Sequence, residues 1–321
     1  MNLVYMLTLG HEALASLAPE FSDVEFVRAD GAADLRPHLA DVEAVVLVGF
    51  AYTAEVAAML ANEAPRLRWI QSANAGVDSL FKKGVPPGIL LTHGPTIWGP
   101  GVAEHAVALL LGLLRRFPEF ERNRARRAWD RGSMVRRMES LEGRLVLCLG
   151  FGNIGRGVAQ RLKPFGSRVV GFATSARADA DAEAIVGLDR LDDYLPDADA
   201  VVIALPSSDE TRGLISRERL ASMKPSALLV NVARGDIVDE AALVESLAQG
   251  RLAGAGLDAF EREPLPADDP FWKLENVILT PHIAGFGGNA FGRLAELVGE
   301  NLRRYQAGEP LLYPVKMPDG G

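Results

Sequence analysis

The stretch Leu145–Gly157, with the sequence LVLCLGFGNIGRG, restricts the fold of this chain more than any other feature. Its first six residues are nearly all apolar and predict a buried strand. Three glycines follow in the pattern G-x-G-x-x-G, at Gly150, Gly152 and Gly155. Any glycine-rich turn between a strand and a helix can produce this pattern, so alone it is weak evidence. Between a clear strand and a clear helix it favours dinucleotide binding, because glycine permits a tight turn, close approach to a pyrophosphate and close helix–strand packing.

A helix is predicted directly after this loop. Asn153 and Ile154 begin it, and Ile154, Val158 and Leu162 form an apolar stripe at helical spacing. The N–H groups and the dipole at the N-terminus of such a helix favour the negative charge of phosphate groups. Asn153, Ile154 and the three glycines are therefore candidate cofactor-binding residues.

Composition and charge exclude several classes of protein. The chain has 321 residues, of which 48% are hydrophobic and 24% charged, as expected for a globular protein with two full-sized domains. A net charge of −8 argues against general affinity for nucleic acids. Nine arginines lie between Arg115 and Arg137, but acidic residues are interleaved with them, so a solvated helix face or a subunit contact is the better interpretation.

The cysteine count and the hydropathy pattern argue against further classes of protein. The single cysteine, Cys148, lies within the predicted strand, which excludes disulfides and a cysteine-rich metal site. No other plausible cluster of metal ligands is present. The N-terminal residues resemble a strand without a basic leader, and the longest apolar helix, Ala106–Leu114, is too short to cross a bilayer. These features predict a soluble, cytoplasmic protein without a metal.

Alternating strands and helices predict an α/β fold, with a Rossmann-type doubly wound parallel sheet and a second, smaller flavodoxin-like α/β domain. Five strands are expected in the smaller domain, at Leu3–Leu9, Val24–Val27, Ala44–Val48, Arg68–Gln71 and Ile89–Thr92. Six are expected in the larger one, at Leu145–Gly150, Arg168–Phe172, Ala200–Ala204, Ala227–Val232, Gly254–Asp258 and Val277–Leu279.

The domain boundary is predicted at Gly99–Gly101, a Gly/Pro cluster directly before the long apolar helix Val102–Leu114. The last predicted helix, Ala290–Tyr305, is expected to return to the first domain, and the tail Pro318–Gly321 is expected to be loose. The predicted substrate domain therefore comprises residues 1–98 plus 287–321, and the predicted dinucleotide-binding domain comprises residues 99–286.

Candidate functional residues follow the predicted strands of the larger domain, where open parallel sheets bind their ligands. In strand order they are Gly150, Ala173, Leu205 with Pro206, Arg234, Asp258 and His282. So many coincidences with one edge of one sheet are hard to attribute to composition. We therefore interpret these residues as functional.

Two of these side chains, together with Glu263, suggest a chemistry. The planar guanidinium of Arg234 can hold a carboxylate and polarise an adjacent carbonyl, although a single arginine after a strand is more often part of a structural salt bridge. A carboxylate such as Glu263 against the far nitrogen of His282 would fix the tautomer of the imidazole and prepare it to act as a general acid. For His282 alone, the alternative is a structural histidine at the start of a helix.

Four motifs, in order along the chain, resemble signatures of the D-isomer-specific 2-hydroxyacid dehydrogenases, in particular those of glyoxylate/hydroxypyruvate reductases. They are the glycine loop, Asn231–Asp236, Asp258–Pro264 and Thr280–Gly285. Supporting matches occur at Ala75–Asp78, Val102–His105, Leu205–Ile215 and Asn276–His282. Together these motifs cover most of residues 70–290, and their order and spacing make the resemblance specific.

The resemblance implies a catalytic triad of Arg234, Glu263 and His282. Arg234 would bind the substrate carboxylate and polarise the ketone, His282 would protonate the carbonyl oxygen, and Glu263 would orient His282. Asp258 would hold the nicotinamide carboxamide. The N–H groups of Ala75, Gly76 and Val77 would bind the substrate carboxylate from the other domain. Further cofactor contacts are implied at Leu205, Pro206, Thr211, Val232 and Ala233.

One departure from the family pattern concerns the cofactor. Members that use NAD usually end the second strand with an acidic residue, but this chain has Ala173 there, and its next carboxylate is Asp179. Thr174, Ser175 and Arg177 offer hydroxyl and guanidinium donors instead. NADP(H) is therefore the predicted cofactor, and NAD(H) is accepted as well if Arg177 points into solvent.

The sequence thus predicts an oxidoreductase that transfers a hydride between NAD(P)H and a small 2-oxo acid or D-2-hydroxy acid, such as glyoxylate or hydroxypyruvate. The resemblance and the segment around Val102–Arg137 also imply a homodimer. Two alternatives stay open at this point. One is a non-enzymatic, NAD(P)-sensing regulatory protein of the same fold, and the other is a relative that acts on a different small hydride donor.

Overall fold

Short aliphatic runs become parallel strands throughout this chain, because a sheet covered by helices on both faces needs apolar side chains on both. The computed structural model describes residues 1–317, so the predicted loose tail at Pro318–Gly321 lies outside the described residues. The chain divides into two units, Met1–Trp98 together with the chain from Gly287 onward, and Gly99–Phe286. Each unit has its own parallel sheet.

The smaller unit contains a five-stranded sheet in the order β2-β1-β3-β4-β5. Its strands are β1 (Asn2–Met6), β2 (Glu25–Arg28), β3 (Val42–Leu47), β4 (Trp69–Ser72) and β5 (Leu90–Thr92). Its first helices are α1 (His11–Ala15), α2 (Ala32–Leu35), α3 (Ala54–Glu63) and α4 (Asp78–Lys83). This strand order is the flavodoxin-like order of doubly wound sheets, which confirms the predicted fold class.

The larger unit contains a seven-stranded parallel sheet in the order β12-β11-β10-β9-β6-β7-β8. Its strands are β6 (Leu145–Leu149), β7 (Arg168–Phe172), β8 (Ala184–Val186), β9 (Ala200–Ile203), β10 (Leu228–Asn231), β11 (Gly254–Leu257) and β12 (Val277–Leu279). The order reverses at β6, as in a Rossmann sheet with one additional strand. The six predicted strands are present, but the expectation of six was wrong: β8 was missed because its three residues directly follow a run of alternating alanine and acidic residues, which is not typical of a strand.

Helices α5 to α11 belong to this larger unit. They are α5 (Gly99–Leu114), α6 (Phe117–Ala125), α7 (Arg131–Val135), α8 (Asn153–Leu162), α9 (Leu191–Tyr194), α10 (Arg217–Ser222) and α11 (Glu240–Ala248). The Gly/Pro cluster at Gly99–Gly101, predicted to precede this helix, forms the first turn of α5. Proline is tolerated in that turn because the first N–H groups of a helix have no partner within the helix.

The last helix, α12 (Ala290–Ala307), belongs to the smaller unit. Asn301 on this helix is fully buried, and its amide donates to Gln71 Oε1 on β4 at 3.0 Å. It also accepts a hydrogen bond from the N–H of Leu312 at 2.7 Å. The C-terminal helix is thus tied to the central part of this sheet. Single turns of 3₁₀ helix occur at Arg36–His38, Lys163–Phe165, Leu188–Arg190, Leu195–Asp197, Gly235–Ile237 and Pro270–Lys273.

The register of the larger sheet brings the carboxyl ends of all seven strands to one level. The last residue of each strand pairs with the last residue of the neighbouring strand. In order across the sheet these residues are Val186, Phe172, Leu149, Ile203, Asn231, Leu257 and Leu279. The seven loops that follow therefore start from a single edge. Among the residues that the structure describes, no helix is both long and apolar enough to span a membrane.

The glycine loop between β6 and α8 is closely packed at one glycine and open at another. A Cβ placed on Gly155 would lie 1.9 Å from the carbonyl oxygen of Gly150, whereas a Cβ on Gly152 would meet no atom within 4 Å. Cys148 on β6 is fully buried, which raises the pKa of its thiol to about 12. The thiol therefore stays protonated at neutral pH.

These two glycines provide a matched pair of variants. Gly155→Ala is expected to lower the free energy of unfolding by about 1–3 kcal/mol, because the added methyl group forces α8 away from β6. Gly152→Ala should leave the thermal unfolding midpoint nearly unchanged, since its methyl group has open space. Differential scanning calorimetry of both variants measures this, and equal midpoints would contradict the role assigned to Gly155.

Candidate active site

Loops from neighbouring strands carry the predicted catalytic residues of the larger unit. Arg234 follows β10, Asp258 and Glu263 follow β11, and His282 follows β12. These three strands are adjacent and end at the same level of the sheet. Residues separated by nearly fifty positions in the sequence are thereby brought to one edge.

Glu263 and His282 form a close pair. His282 Nδ1 lies 2.9 Å from both carboxylate oxygens of Glu263. Glu263 Oε1 also accepts a hydrogen bond from the N–H of Phe260 at 3.0 Å, which holds the carboxylate in place. Because a carboxylate accepts at Nδ1, that nitrogen carries a proton and Nε2 is left to face a ligand.

The charge on Glu263 is supported by its neighbours. Burial raises the pKa of this carboxyl, but the hydrogen bonds from His282 and Phe260 and the positive charges of His282 and Arg234 outweigh burial and lower it overall. Glu263 therefore remains a carboxylate to a lower pH than an ordinary glutamate. Both side chains of the pair are partly exposed, with 45% of His282 and 37% of Glu263 accessible.

Asp258 fixes the turn that carries His282. His282 adopts a φ of 53°, in the left-handed region that non-glycine residues seldom occupy. The buried carboxylate of Asp258 accepts hydrogen bonds from the N–H groups of Ile283 at 3.0 Å and Ala284 at 2.9 Å. Such a conformation persists only where its surroundings determine it, and here the two hydrogen bonds supply that constraint.

A hydrogen-bonded chain supports Asp258 from behind. Thr280 Oγ1 donates to Asp258 Oδ1 at 2.6 Å, and His105 Nε2 on α5 lies 2.9 Å from the same hydroxyl. His105 Nε2 is also 3.7 Å from Asp258 Oδ1. These contacts give His105 a structural role.

The loop after β10 presents Arg234. The side chain of Asn231 is almost completely buried, and it accepts from the N–H of Ala233 at 3.0 Å while donating to the carbonyl of Arg234 at 2.8 Å. Sequence reasoning assigned no role to Asn231, although an asparagine at a strand end before small residues is a signal for such a turn. A Cβ on Gly235 would lie 1.9 Å from the backbone of Phe260 and Glu261, so only glycine lets this loop pack against the loop that carries Glu263.

The β9 loop is held by its own side chains. Thr211, a predicted cofactor contact, is buried, and its hydroxyl donates to the carbonyl of Pro206 at 2.7 Å and accepts from the N–H of Ser208 at 2.8 Å. Thr211 therefore acts on the shape of the loop that contains Leu205 and Pro206. Leu205 is buried, as are Val232 and Ala233 in the next loop.

The loop after β7 places Arg177 beside the glycine loop. Arg177 is exposed, and its guanidinium donates a hydrogen bond to the carbonyl oxygen of Phe151 at 2.8 Å. Ala173 is partly buried, and Thr174 and Ser175 are exposed. Asp179, the next carboxylate along the chain, forms an ion pair with Arg156 in the first turn of α8.

In the smaller unit, the predicted carboxylate-binding loop lies between β4 and α4. Asn74 anchors it, since Asn74 Oδ1 accepts from the N–H of Gly49 at 2.6 Å and its carbonyl from the N–H of Gly94 at 3.0 Å. His93 Nδ1 lies 2.6 Å from the carbonyl of Ala75. Residues Ala75 to Val77 are partly or fully exposed. Within residues 1–317, no group of three or more His, Cys, Asp or Glu side chains is arranged to hold a metal ion.

Comparison with known proteins decides the family. The sequence model described as "D-isomer specific 2-hydroxyacid dehydrogenase, NAD binding domain" matches residues 107–284. The chain belongs to this family. It is therefore an NAD(P)-dependent dehydrogenase that transfers hydride, as the sequence predicted.

Other members resemble the whole chain. The glyoxylate reductase of Korarchaeum cryptofilum is 38% identical over 251 residues, which cover 77% of this chain and 75% of that protein. A family protein from Aeromonas salmonicida has 31% identity and a TM-score of 0.88, with 98% of each chain covered. A dehydrogenase from Xanthobacter autotrophicus Py2, solved in complex with NADPH and MES, has 30% identity and a TM-score of 0.82, again with 98% of each chain covered.

Proposed function

We propose that this dehydrogenase reduces a small 2-oxo acid to its D-2-hydroxy acid with NADPH, in a reversible reaction. The observation that carries the proposal is the pair of 2.9 Å contacts between Glu263 and His282 Nδ1, on the same sheet edge as Arg234. A protonated imidazole beside a cation is what a ketone oxygen requires when negative charge develops on it.

Each residue of the triad has one task. His282 donates a proton from Nε2 to the carbonyl oxygen, and in the reverse direction it removes that proton from the hydroxyl group. Glu263 keeps the imidazole in the required orientation and stabilises its positive form. Arg234 binds the substrate carboxylate through its guanidinium and stabilises the developing alkoxide.

The glycine loop fits a dinucleotide. Open space next to Gly152 allows a pyrophosphate to approach the backbone, and the N-terminus of α8 favours its charge. Gly150, Gly152, Gly155, Asn153 and Ile154 would hold the phosphates, and the loops at Leu205–Pro206, Val232–Ala233 and Asp258 would border the rest of the cofactor. When bound, the nicotinamide ring supplies the hydride.

The choice of glyoxylate or hydroxypyruvate as substrate rests on the relatives. The protein from Korarchaeum cryptofilum is named a glyoxylate reductase. A small 2-oxo acid also suits Arg234, the proposed ligand of its carboxylate in the larger unit. A coupled assay over glyoxylate, hydroxypyruvate, pyruvate and phenylpyruvate identifies the preferred acid.

The general acid gives the first functional prediction. His282→Ala should lower the rate of 2-oxo acid reduction about a hundredfold or more, with cofactor affinity nearly intact. His38→Ala, on a short 3₁₀ turn of the smaller unit, is the matched control and should keep full activity. Near-normal turnover of the His282 variant in a steady-state assay would remove this residue from the mechanism.

The pairing of Glu263 with His282 predicts a change in pH dependence. In Glu263→Gln, a neutral amide replaces the carboxylate that faces Nδ1, so the positively charged form of the imidazole loses its stabilising partner. The alkaline limb of the pH–rate profile for reduction should therefore move to lower pH, while the folded structure is retained. An unchanged profile would leave Glu263 with a structural role only.

The cofactor preference follows from Ala173 and Arg177. Ala173 brings no negative charge against a 2′-phosphate, and the guanidinium of Arg177 is held at the glycine loop, where it can bind one. We expect NADPH to be preferred roughly tenfold to a hundredfold in kcat/KM, the size of one charge-assisted contact. Arg177→Ala should weaken the binding of NADPH but not that of NADH, and Ala173→Asp should make NADH the preferred cofactor. A clear preference of the unmodified enzyme for NADH would contradict this.

A cytoplasmic homodimer is also proposed. The arginine-rich segment of α6 and α7 exposes large apolar side chains, with 95% of Trp129, 61% of Val135 and 57% of Phe117 accessible. Apolar groups of this size favour burial against a second copy of the chain. Light scattering should report twice the 34.5 kDa mass of the chain, and a monomer throughout the micromolar range would contradict the proposal.

A further inference from the structure

A small ion-pair cluster lies beside the glycine loop. Arg156, in the first turn of α8, pairs with Asp179 and lies 3.8 Å from the carboxylate of Asp181. Asp179 Oδ1 also accepts a hydrogen bond from the N–H of Asp181 at 3.1 Å. The side chain of Asp179 is only 2% exposed, although that of Arg156 is 52% exposed. The carboxylate is thus covered by the guanidinium that neutralises it.

Asp179 lies close enough to Arg177 for their charges to interact. Its pKa is lowered, chiefly by the hydrogen bond from Arg156, and the positive charge of Arg177 contributes as well. Arg177 in turn contacts the glycine loop through the carbonyl oxygen of Phe151. An unpaired carboxylate at Asp179 would therefore oppose an anion bound by Arg177, because like charges repel over several ångströms.

The balance of charge at this site depends on Arg156. With both arginines and both aspartates ionised, the four side chains Arg156, Arg177, Asp179 and Asp181 carry no net charge. Removal of Arg156 would leave one excess negative charge next to the glycine loop. Asp181 has a second partner, since Gln160 donates to its carboxylate at 3.0 Å, whereas Arg156 is the side chain that pairs with Asp179.

We propose that Arg156 determines cofactor specificity by pairing with Asp179, so that this carboxylate does not oppose a 2′-phosphate held by Arg177. The inference rests on the proposed use of NADPH. It assigns a function to a residue outside the triad and outside the glycines, and it explains how an acidic residue is tolerated so near to the end of β7.

Binding of two cofactor fragments tests the inference without catalysis. Adenosine 2′,5′-bisphosphate carries the additional phosphate and 5′-AMP lacks it, so the ratio of their dissociation constants by titration calorimetry isolates the 2′-phosphate. Arg156→Gln should raise the dissociation constant of adenosine 2′,5′-bisphosphate about threefold to thirtyfold, the range expected for one like charge several ångströms away. The dissociation constant of 5′-AMP should stay within about twofold of its value in the unmodified protein. The NADPH-to-NADH ratio of kcat/KM should fall in parallel.

A second substitution separates charge from structure. In Arg156→Gln combined with Asp179→Asn, the excess charge is gone, and the fragment ratio should return to that of the unmodified protein. Asp179→Asn alone should not weaken the binding of adenosine 2′,5′-bisphosphate relative to that of 5′-AMP. Arg161→Gln is the matched control, because Arg161 lies on the same helix but pairs with Glu104 at 2.8 Å. Added salt should reduce the effect of Arg156→Gln, as expected for partly exposed charges.

Two results would overturn the inference. One is an equal loss of affinity for both fragments in Arg156→Gln, and the other is failure of the double variant to restore the ratio. Should Arg156→Gln be unstable, Arg156→Met keeps an unbranched side chain that is compatible with a helix and removes the guanidinium, and the same results apply. If the unmodified enzyme prefers NADH, the proposed cofactor is wrong, and the fragments then decide the role of Arg156 separately: selective weakening of adenosine 2′,5′-bisphosphate in Arg156→Gln supports that role, and unchanged binding of both fragments overturns it.

Discussion

Parallel register in the larger sheet is the constraint on which the rest of this structure depends. Seven strands end at one level, from Val186 at one side to Leu279 at the other. Backbone hydrogen bonds between the strands fix that level. Short loops after β10, β11 and β12 are then enough to place Arg234, Glu263 and His282 at the same edge of the sheet. A shift of one strand by a single residue would change both the height and the facing of its loop.

At that edge, buried polar side chains fix the positions of the loops, and the proposed catalytic side chains do not. Asn231 shapes the loop of Arg234, Asp258 shapes the turn of His282, and Thr211 shapes the loop after β9. Each has a side chain that is at most 5% exposed. An unpaired polar group in such a buried position costs free energy, so each of these side chains has a single favourable arrangement. The exposed side chains on the same loops are positioned as a result.

Most strands of both sheets, and the candidate residues that follow them, could be predicted from the sequence. Buried parallel strands show as aliphatic runs, and the glycine loop and the residues after each strand keep a fixed relation to them. The short strand β8 was not recognised, since the alternating alanine and acidic residues before Ile185 are not typical of a strand. The role of Asn231, the ion pair of Arg156 with Asp179 and the left-handed conformation of His282 depend on contacts between distant segments, which no local pattern records.

The carboxylate of Asp258 illustrates a limit on how much one side chain can do. Two oxygens offer about four sites for hydrogen-bond donors. Thr280, Ile283 and Ala284 occupy three of them at 2.6–3.0 Å. These three donors, all in the turn after β12, leave little freedom in the direction of the carboxylate. The entropy of orienting it is lost during folding, so a group that interacts with Asp258 afterwards does not have to supply that cost.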